Sequence, residues 1–327
     1  MTMRAITITK PGGPEVLAVV ERPRPEPSRG EVRVRVRATA VNRADLLQRM
    51  GGYPAPPDAP ADIPGLEFAG EVDALGPGVE SLVVGDRVFG LVGGGAYAEL
   101  LVTHERAVAK IPECLSYEQA AAVPEAFITA HDAMVTQADL TGGETLLVHA
   151  VGSGVGTAAV QLGHAFGATV IGTARTPGKL ERAKELGLDI GLVPDAGKFA
   201  EAVRRADAAG PAVVLELVGG GYLEEDLRCV RVKGRIVLVG LLAGARTTLD
   251  LGLMLRSRAR VFGTVLRARP LEEKIMAMRA FDSQVVPLLA RGRIAPVVDC
   301  VLPLDHAAEA HQRMASNAGF GKIVLRV

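Results

Sequence analysis

The chain has 327 residues, 48% of them hydrophobic, and its 37 Lys and Arg residues balance its 37 Asp and Glu residues. This length favours about two domains with real cores, and the balanced charge argues against nucleic acid or an anionic membrane as a partner. No apolar stretch approaches the ~20 residues needed to span a bilayer, and residues 1–10 lack a signal-peptide core, so we expect a cytoplasmic protein without membrane insertion.

Short strands and turns dominate the first 102 residues. The alternation of residues 31–37 predicts a half-buried strand whose arginines face solvent. A helix-like piece at 41–49 and a turn-rich loop at 51–57 follow, and that loop carries Tyr53. Further short strands separated by glycine turns run from 64 to 102. This succession predicts a compact β barrel-like domain.

The pattern becomes helical from Ser116 to Met134, and strands then alternate with helices. Strands are predicted at 146–151, 169–175, 190–193, 212–218, 235–239 and 260–265, and helices at 156–167, 177–186, 198–208 and 222–231. Such alternation indicates a parallel sheet with helices on both faces. Helices near 271–281, 283–291 and 305–316 precede a closing strand at 322–327. We therefore predict an α/β protein in which a β-rich domain (1–125 plus 267–327) is split by a doubly wound domain (126–266).

The stretch from Leu146 to Gly156 is an apolar run that turns abruptly into closely spaced small residues. Gly154, Gly156 and Ala159 fit the dinucleotide pattern G-x-G-x-x-A, which also occurs in ordinary turns. A helix N-terminus carries partial positive charge, and glycines let a pyrophosphate approach its backbone. The pattern favours a dinucleotide site.

The next predicted strand ends 21 residues after Gly154, where an NAD site places an acid on the ribose 2′-hydroxyl. No acid is present, and Arg175, Thr176 and Lys179 supply two cations and a hydroxyl that suit a 2′-phosphate. NADPH is therefore the predicted cofactor. The alternative is that Thr176 and Pro177 only begin a helix, with Lys179 solvated in its first turn.

Six segments, spread over essentially the full length, resemble the medium-chain dehydrogenase/reductase superfamily. Within it, the chain is most similar to the zinc-free, zeta-crystallin-like NADPH quinone oxidoreductases, and especially to the stress-inducible quinone reductase subgroup. The six segments are NRADL (42–46), PGLEFAG (64–70), AVPEA (122–126), SGVGTAA (153–159), LRAR (266–269) and GKIVL (321–325). The resemblance implies a GroES-like catalytic domain and an inserted Rossmann domain. It also implies a small-molecule quinone or related acceptor and a homodimer or homotetramer.

Zinc alcohol dehydrogenases of this superfamily hold their metal with a Cys and a His at positions that correspond here to Asn42 and Leu66. Neither side chain provides thiolate or imidazole ligation. Cys114, Cys229 and Cys300 are far apart, so we expect reduced packing residues and no structural zinc loop. The predicted enzyme uses no metal.

The resemblance further implies individual roles. Arg175 and Thr176 are joined by further expected cofactor contacts. These are Thr129, Ser153, Gly154, Val155, Gly156, Lys179, Gly240, Leu241, Leu242, Thr264, Val265, Leu266 and Asn317. Tyr53 aligns with a loop tyrosine that lines the quinone pocket, and Asn42, Asp45 and Gln48 lie on its polar side. Pro194 replaces a cofactor-contacting tyrosine of the subgroup, so adenine packing is expected to differ.

The predicted activity is NADPH-dependent quinone reduction, because a quinone accepts electrons without a Lewis acid and the protein need mainly position the two rings. Tyr53, Asn42 and Asp45 form the predicted catalytic set, with the proton supplied by Tyr53 or solvent. Glu67 is expected to be structural, and His149 a satisfied core residue.

Two alternative functions remain open. The chain could reduce activated alkenes, such as enones or enoyl thioesters, or it could be a non-catalytic protein that retains nucleotide. An edge strand at 260–265 could pair two subunits.

Overall fold

The computed structural model describes residues 1–327, which form two compact units. The split unit comprises Met1–Ile128 and Leu266–Val327, and the inserted unit is Thr129–Val265. The first junction lies three residues beyond the predicted one. Leu266, assigned from the sequence to the nucleotide-binding domain, belongs to the split unit.

The chain forms fifteen strands and eleven α-helices. The strands are β1 (Thr2–Ile8), β2 (Leu17–Pro23), β3 (Glu31–Ala40), β4 (Glu67–Leu75), β5 (Arg87–Leu91), β6 (Leu100–His104), β7 (Val108–Lys110), β8 (Thr145–Val148), β9 (Thr169–Thr173), β10 (Ile190–Leu192), β11 (Val213–Glu216), β12 (Arg235–Leu238), β13 (Arg260–Gly263), β14 (Val298–Pro303) and β15 (Lys322–Arg326). The helices are α1 (Arg43–Arg49), α2 (Tyr117–Ala121), α3 (Thr129–His131), α4 (Gly154–Ala165), α5 (Pro177–Lys184), α6 (Ala200–Ala206), α7 (Tyr222–Cys229), α8 (Leu251–Ser257), α9 (Leu271–Gln284), α10 (Val286–Ala290) and α11 (Ala307–Ser316). None of these helices combines the length and apolar content that a membrane crossing requires.

The split unit is built on a sheet with the order β14-β15-β3-β4-β5-β7, with β6 also paired to β3, and β1 and β2 form a separate hairpin. Val32, Val34 and Val36 of β3 are buried, as the alternation predicts. The expectation that every arginine of β3 faces solvent is wrong for Arg33. It is only 4% exposed because the carboxylates of Asp73 and Glu26 each accept from its guanidinium at 2.7 Å.

The inserted unit contains a parallel six-stranded sheet with the order β10-β9-β8-β11-β12-β13. The strand order reverses between β8 and β11, and in such sheets ligands bind outside the carboxyl ends of the strands at that point. The predicted fold class is confirmed. β13 lies at the sheet edge, as predicted, while α8 was not predicted.

The continuous helix predicted from Ser116 to Met134 is interrupted. After α2 the backbone forms a π-helical turn at Pro124–Ile128, then α3, then a second π-helical segment at Asp132–Gln137. Pro124 has no N–H donor and disfavours a helical conformation at the residue before it, which ends α2 early. π-Helical turns occur often at functional sites, and this one carries Glu125.

The three cysteines are free, as predicted. Cys229 is buried and Cys300 is half-buried, which suits packing residues. Cys114 is exposed, so its expected packing role is wrong.

Candidate active site

The turn after β8 is shaped by the small residues that suggested a dinucleotide site. Ser153 caps α4, and its Oγ accepts a hydrogen bond from the Gly156 N–H at 3.0 Å. A Cβ at position 156 would lie only 2.3 Å from the Ala150 carbonyl oxygen, so the turn requires glycine there. The helix that follows has twelve residues, and its N-terminal N–H groups and dipole suit an anion. Ser153, Gly154, Val155 and Gly156 therefore fit a pyrophosphate.

Arg175 and Thr176 are exposed immediately beyond β9, and Lys179 is half-buried one turn along α5. Thr176 occupies the capping position with extended backbone, and Pro177 begins the helix, as the alternative interpretation requires. However, the Thr176 side chain makes no capping hydrogen bond. Its hydroxyl is therefore not used by the helix.

Two further predicted segments follow the carboxyl ends of neighbouring strands. Gly240 comes after β12, and a Cβ there would lie 2.5 Å from the Leu217 carbonyl oxygen. Leu241 and Leu242 are 53% and 51% exposed. Thr264 follows β13 and donates its N–H to the Leu238 carbonyl at 3.0 Å. The structure thus brings the loops after β8, β9, β12 and β13 to one edge of the sheet, together with Val265.

Thr129 is 8% exposed, and its hydroxyl has no hydrogen-bond partner. Buried polar groups are normally satisfied, so an unpartnered hydroxyl points to an absent ligand. The carboxamide of a nicotinamide offers a matching donor and acceptor. With the turn at Gly156, this unpartnered atom shows that the inserted unit's residues fit a dinucleotide.

Pro194, the position at which adenine packing is expected to differ, follows β10 and is half-buried.

His149 is fully buried, as predicted, and both ring nitrogens have partners. Its Nδ1 lies 2.8 Å from Thr173 Oγ1, and its Nε2 lies 2.8 Å from Asp226 Oδ1. No sequence pattern indicated that Asp226 and Glu216 join it, and ligand-type atoms of all three lie within 4.8 Å of one another. Burial raises the pKa of Glu216 to about 8 and of Asp226 to about 7, and it lowers the pKa of His149. Glu216 Oε1 also accepts the N–H of Gly219 at 2.9 Å, so this buried trio shapes the turn after β11.

In the split unit, Asn42 belongs to a buried polar cluster. Its Nδ2 donates to Glu67 Oε1 at 2.8 Å, and its Oδ1 accepts from Lys322 Nζ. Lys322 Nζ also lies 2.6 Å from Glu67 Oε1, and the two side chains are 4% and 0% exposed. Glu67 is thus structural, as expected. The Lys322 ammonium group thus lies beside Asn42, the position that the resemblance matches to a metal-ligating Cys of zinc alcohol dehydrogenases.

Asp45 is fully buried, and its carboxylate is already engaged. It accepts the Asn42 N–H at 2.8 Å, the Gly65 N–H at 3.1 Å and the Tyr97 hydroxyl at 3.3 Å. Burial raises its pKa to about 6. These contacts make Asp45 a positioning residue for α1 and the loop at Gly65, and a direct catalytic role stays a prediction.

Tyr53 is half-buried beneath Arg267. In the sequence, Arg267 stands out only as part of the LRAR segment. The guanidinium of Arg267 lies 5.0 Å from the centre of the Tyr53 ring and donates to the Tyr53 carbonyl at 3.2 Å. It also donates to the Gly93 carbonyl at 2.7 Å and to Gln48 Oε1. Arg267 is therefore the residue that fixes the tyrosine loop. Burial raises the Tyr53 pKa above its usual value.

A small cavity lies within the split unit. Arg267 and Leu266 line it, along with Glu125, Lys274 and apolar side chains. The Glu125 N–H donates to Glu67 Oε2 at 2.8 Å, and burial raises the pKa of the Glu125 carboxyl to about 8. In the sequence, the only signal for Glu125 is its place in the AVPEA segment.

Asn317 terminates α11 in a left-handed conformation with φ 54°. Its Oδ1 accepts from Arg43, and its Nδ2 donates to the Ala315 carbonyl at 3.1 Å. The structure therefore gives Asn317 a helix-ending role in the split unit. Its cofactor contact, like that of Leu266, stays a prediction.

Comparison with known proteins shows that residues 28–113 match the alcohol dehydrogenase GroES-like domain and residues 154–282 match the zinc-binding dehydrogenase family. A quinone oxidoreductase of Pseudomonas aeruginosa is 35% identical over 326 residues, covering 96% of both chains. A polyketide synthase of Streptomyces halstedii is 38% identical over 91% of this chain, which corresponds to 5% of that much longer protein.

Two solved structures share the whole fold. A mycobacterial protein complexed with NADPH has a TM-score of 0.89 and 30% identity, covering 99% of this chain and 100% of its own. An NAD-dependent alcohol dehydrogenase has a TM-score of 0.89 and 34% identity with the same coverage. With its GroES-like and nucleotide-binding domains and its quinone oxidoreductase relatives, the chain belongs to the medium-chain dehydrogenase/reductase superfamily as a quinone oxidoreductase-like oxidoreductase.

Proposed function

We propose that the protein reduces quinones with NADPH and without a catalytic metal. The observation that carries this proposal is the buried Lys322 ammonium bound to Asn42 and Glu67. Lys322 already pairs with the Glu67 carboxylate, and Asn42 offers no thiolate, so this cluster presents no ligand set suited to a catalytic metal. The acceptor must then take electrons without a Lewis acid, which a quinone does.

The inserted unit binds the cofactor in this proposal. N–H groups at the start of α4 bind the pyrophosphate, with Ser153 holding the turn in shape. Arg175, Lys179 and the Thr176 hydroxyl bind the 2′-phosphate. The Thr129 hydroxyl bonds the nicotinamide amide and so orients its ring. Bound NADPH supplies the hydride.

The split unit binds the acceptor. The Tyr53 ring offers a flat face, and Arg267 holds the loop that carries it. Apolar side chains of the cavity that Arg267 lines, such as Val92 and Met278, exclude water from the acceptor ring. Positioning then supplies most of the rate enhancement.

Reduction of an activated alkene is the second candidate. The similarity to a segment of a polyketide synthase favours it, as does the acidic Glu125 in the cavity, because an enone needs a proton at carbon as well as a hydride. Both candidates use the same cofactor.

A panel of acceptors tests the proposal. Purified protein is given NADPH or NADH with several quinones, enones and an enoyl thioester, and cofactor oxidation is followed by absorbance. We expect the highest kcat/KM with a quinone and NADPH, in protein whose zinc content is well below stoichiometric. Preference for an enone would establish the second candidate. Tight NADPH binding with no oxidation by any acceptor would favour a non-catalytic nucleotide-binding protein.

We also propose that β13 pairs two subunits. It lies at an edge of the inserted unit's sheet, where backbone N–H and C=O groups lack a neighbouring strand. Sedimentation should show a homodimer or homotetramer, and a monomer at micromolar concentration would exclude this.

A further inference from the structure

We propose that Glu125 is the acid that protonates the reduced acceptor in the cavity of the split unit. This inference rests on the proposed reductase function and adds a catalytic residue to it. Tyr53 and solvent were the proton sources expected from the sequence, and the structure offers a better one.

Glu125 is held in place through its backbone. It lies in the π-helical turn Pro124–Ile128, and its N–H donates to Glu67 Oε2 at 2.8 Å. Glu67 is itself fixed by Lys322 and Asn42 through its other oxygen. The backbone of Glu125 is therefore tied to a buried, hydrogen-bonded polar cluster of the split unit. A side chain on such an anchor meets its substrate at a reproducible position.

The Glu125 carboxyl is not engaged by other groups of the protein. Glu125 lines the cavity, and no hydrogen bond or ion pair engages its side chain. By contrast, the other acids nearby are occupied: Asp45 by three donors and Glu67 by Lys322, Asn42 and the Glu125 N–H. Glu125 is the acid in this region with a carboxyl left for a ligand.

The environment of the Glu125 carboxyl favours its protonated form. Apolar cavity walls desolvate the carboxyl, and the negative charges of Glu67 and Asp45 oppose its ionisation, while Lys322 and Arg267 favour it. Lys274 also lines the cavity, with Asp58 as its partner at 3.3 Å. The balance raises the Glu125 pKa to about 8, so the acid form predominates at neutral pH. A general acid is most effective when its pKa lies near the working pH, whereas burial moves the pKa of Tyr53 further from it.

With a quinone as acceptor, a hydride supplied by bound NADPH would bring two electrons and one hydrogen, giving NADP⁺ and a hydroquinone monoanion. The O–H bond of Glu125 breaks, and its proton passes to the oxygen that carries the negative charge. Hydroquinone leaves, and the Glu125 carboxylate regains a proton from water at the open mouth of the cavity. In an enone, the same proton would go to the enolate.

The test compares wild type with Glu125→Gln and Glu125→Asp, and with Glu113→Gln as an exposed control. Quinone reduction is measured from pH 6 to pH 9.5 in single-turnover experiments with saturating NADPH, in H₂O and D₂O. The wild-type rate should fall as the pH rises through about 8, as Glu125 loses its proton. Glu125→Gln should lower the rate by about 10²–10⁴-fold and abolish that fall. Glu125→Asp should recover part of the rate.

NADPH affinity, measured by fluorescence titration, should change less than about twofold in Glu125→Gln, because Glu125 is assigned to the acceptor and not to the cofactor. A Glu125→Gln protein that keeps more than half the wild-type rate, or keeps the fall near pH 8, overturns the assignment while leaving the reductase function intact. If Glu125→Gln does not fold, a wild-type rate independent of pH between 7 and 9 overturns it. A wild-type protein inactive with every quinone and enone overturns the function and this assignment together.

Discussion

The Nζ of Lys322 lies 2.6 Å from Oε1 of Glu67, and together with Asn42 the pair forms a neutral, closed cluster inside the split unit. Removing one member of a buried ion pair leaves an uncompensated charge, which is usually far more destabilising than replacing both. This asymmetry can be measured directly.

Lys322→Met should lower the free energy of unfolding by about 3–5 kcal/mol in urea titrations, because the Glu67 carboxylate stays buried without its cation. The double variant Lys322→Met/Glu67→Gln should lose clearly less than Lys322→Met alone. Lys184→Met, on an exposed helix position, serves as the control. Additive losses from the two changes would show that the pair is not coupled.

Arg175→Ala/Lys179→Ala should raise the KM for NADPH at least tenfold and leave the KM for NADH nearly unchanged, because only NADPH carries the 2′-phosphate. Steady-state kinetics with one fixed quinone measures both constants. Lys184→Ala, farther along the same helix, should change neither value. Equal effects on the two cofactors would remove the NADPH assignment.

Arg267→Ala should raise the KM for the quinone about tenfold or more, because the tyrosine loop loses its bonds to the Tyr53 carbonyl and to Gln48. Arg267→Lys should not restore the wild-type KM, since an ammonium group lacks the planar fork that reaches three acceptors.

Tyr53→Phe keeps the ring and should retain most of kcat, whereas Tyr53→Ala should raise the quinone KM. Loss of kcat in Tyr53→Phe, measured beside Glu125→Gln, would make the phenol the proton donor instead.

The buried trio of His149, Glu216 and Asp226 makes stability depend on pH. Glu216 and Asp226 have raised pKa values of about 8 and 7, so the folded protein holds protons that the unfolded chain releases. The lowered pKa of His149 has the opposite effect on the stability, but only below about pH 6.5. Stability should therefore fall as the pH rises from about 6.5 to 8, by up to about 1.4 kcal/mol per pH unit for each proton retained.

Glu216→Gln should flatten this fall and be more stable than wild type at pH 8.5, because the amide can accept from Gly219 and donate toward Asp226. Urea unfolding at pH 6.5, 7.5 and 8.5 measures the effect, with Glu201→Gln as an exposed control. If the free energies of unfolding of Glu216→Gln and wild type changed in parallel with pH, this prediction would be wrong.

Local patterns allowed the fold class and the cofactor turn to be predicted. Ser153 and Gly156 are neighbours in sequence, so the shape of their turn is set by the short-range chemistry of small residues. Arg267 could not be assigned its role in this way, because it contacts Gln48 across 219 positions of the chain. Glu125 was missed for a similar reason. Its pKa depends on Glu67, Asp45 and Lys322, which only the folded split unit brings together.

The Lys322 ammonium also bonds the Val41 carbonyl, 281 residues earlier in the chain, and β15 pairs with β3. The inserted unit, in contrast, is one uninterrupted stretch of sequence. During synthesis by a ribosome, the nucleotide-binding portion is therefore complete while the portion that encloses it still lacks its last strand. We expect the inserted unit to mature first, and residues 1–128 to wait for β15 before they reach their native form.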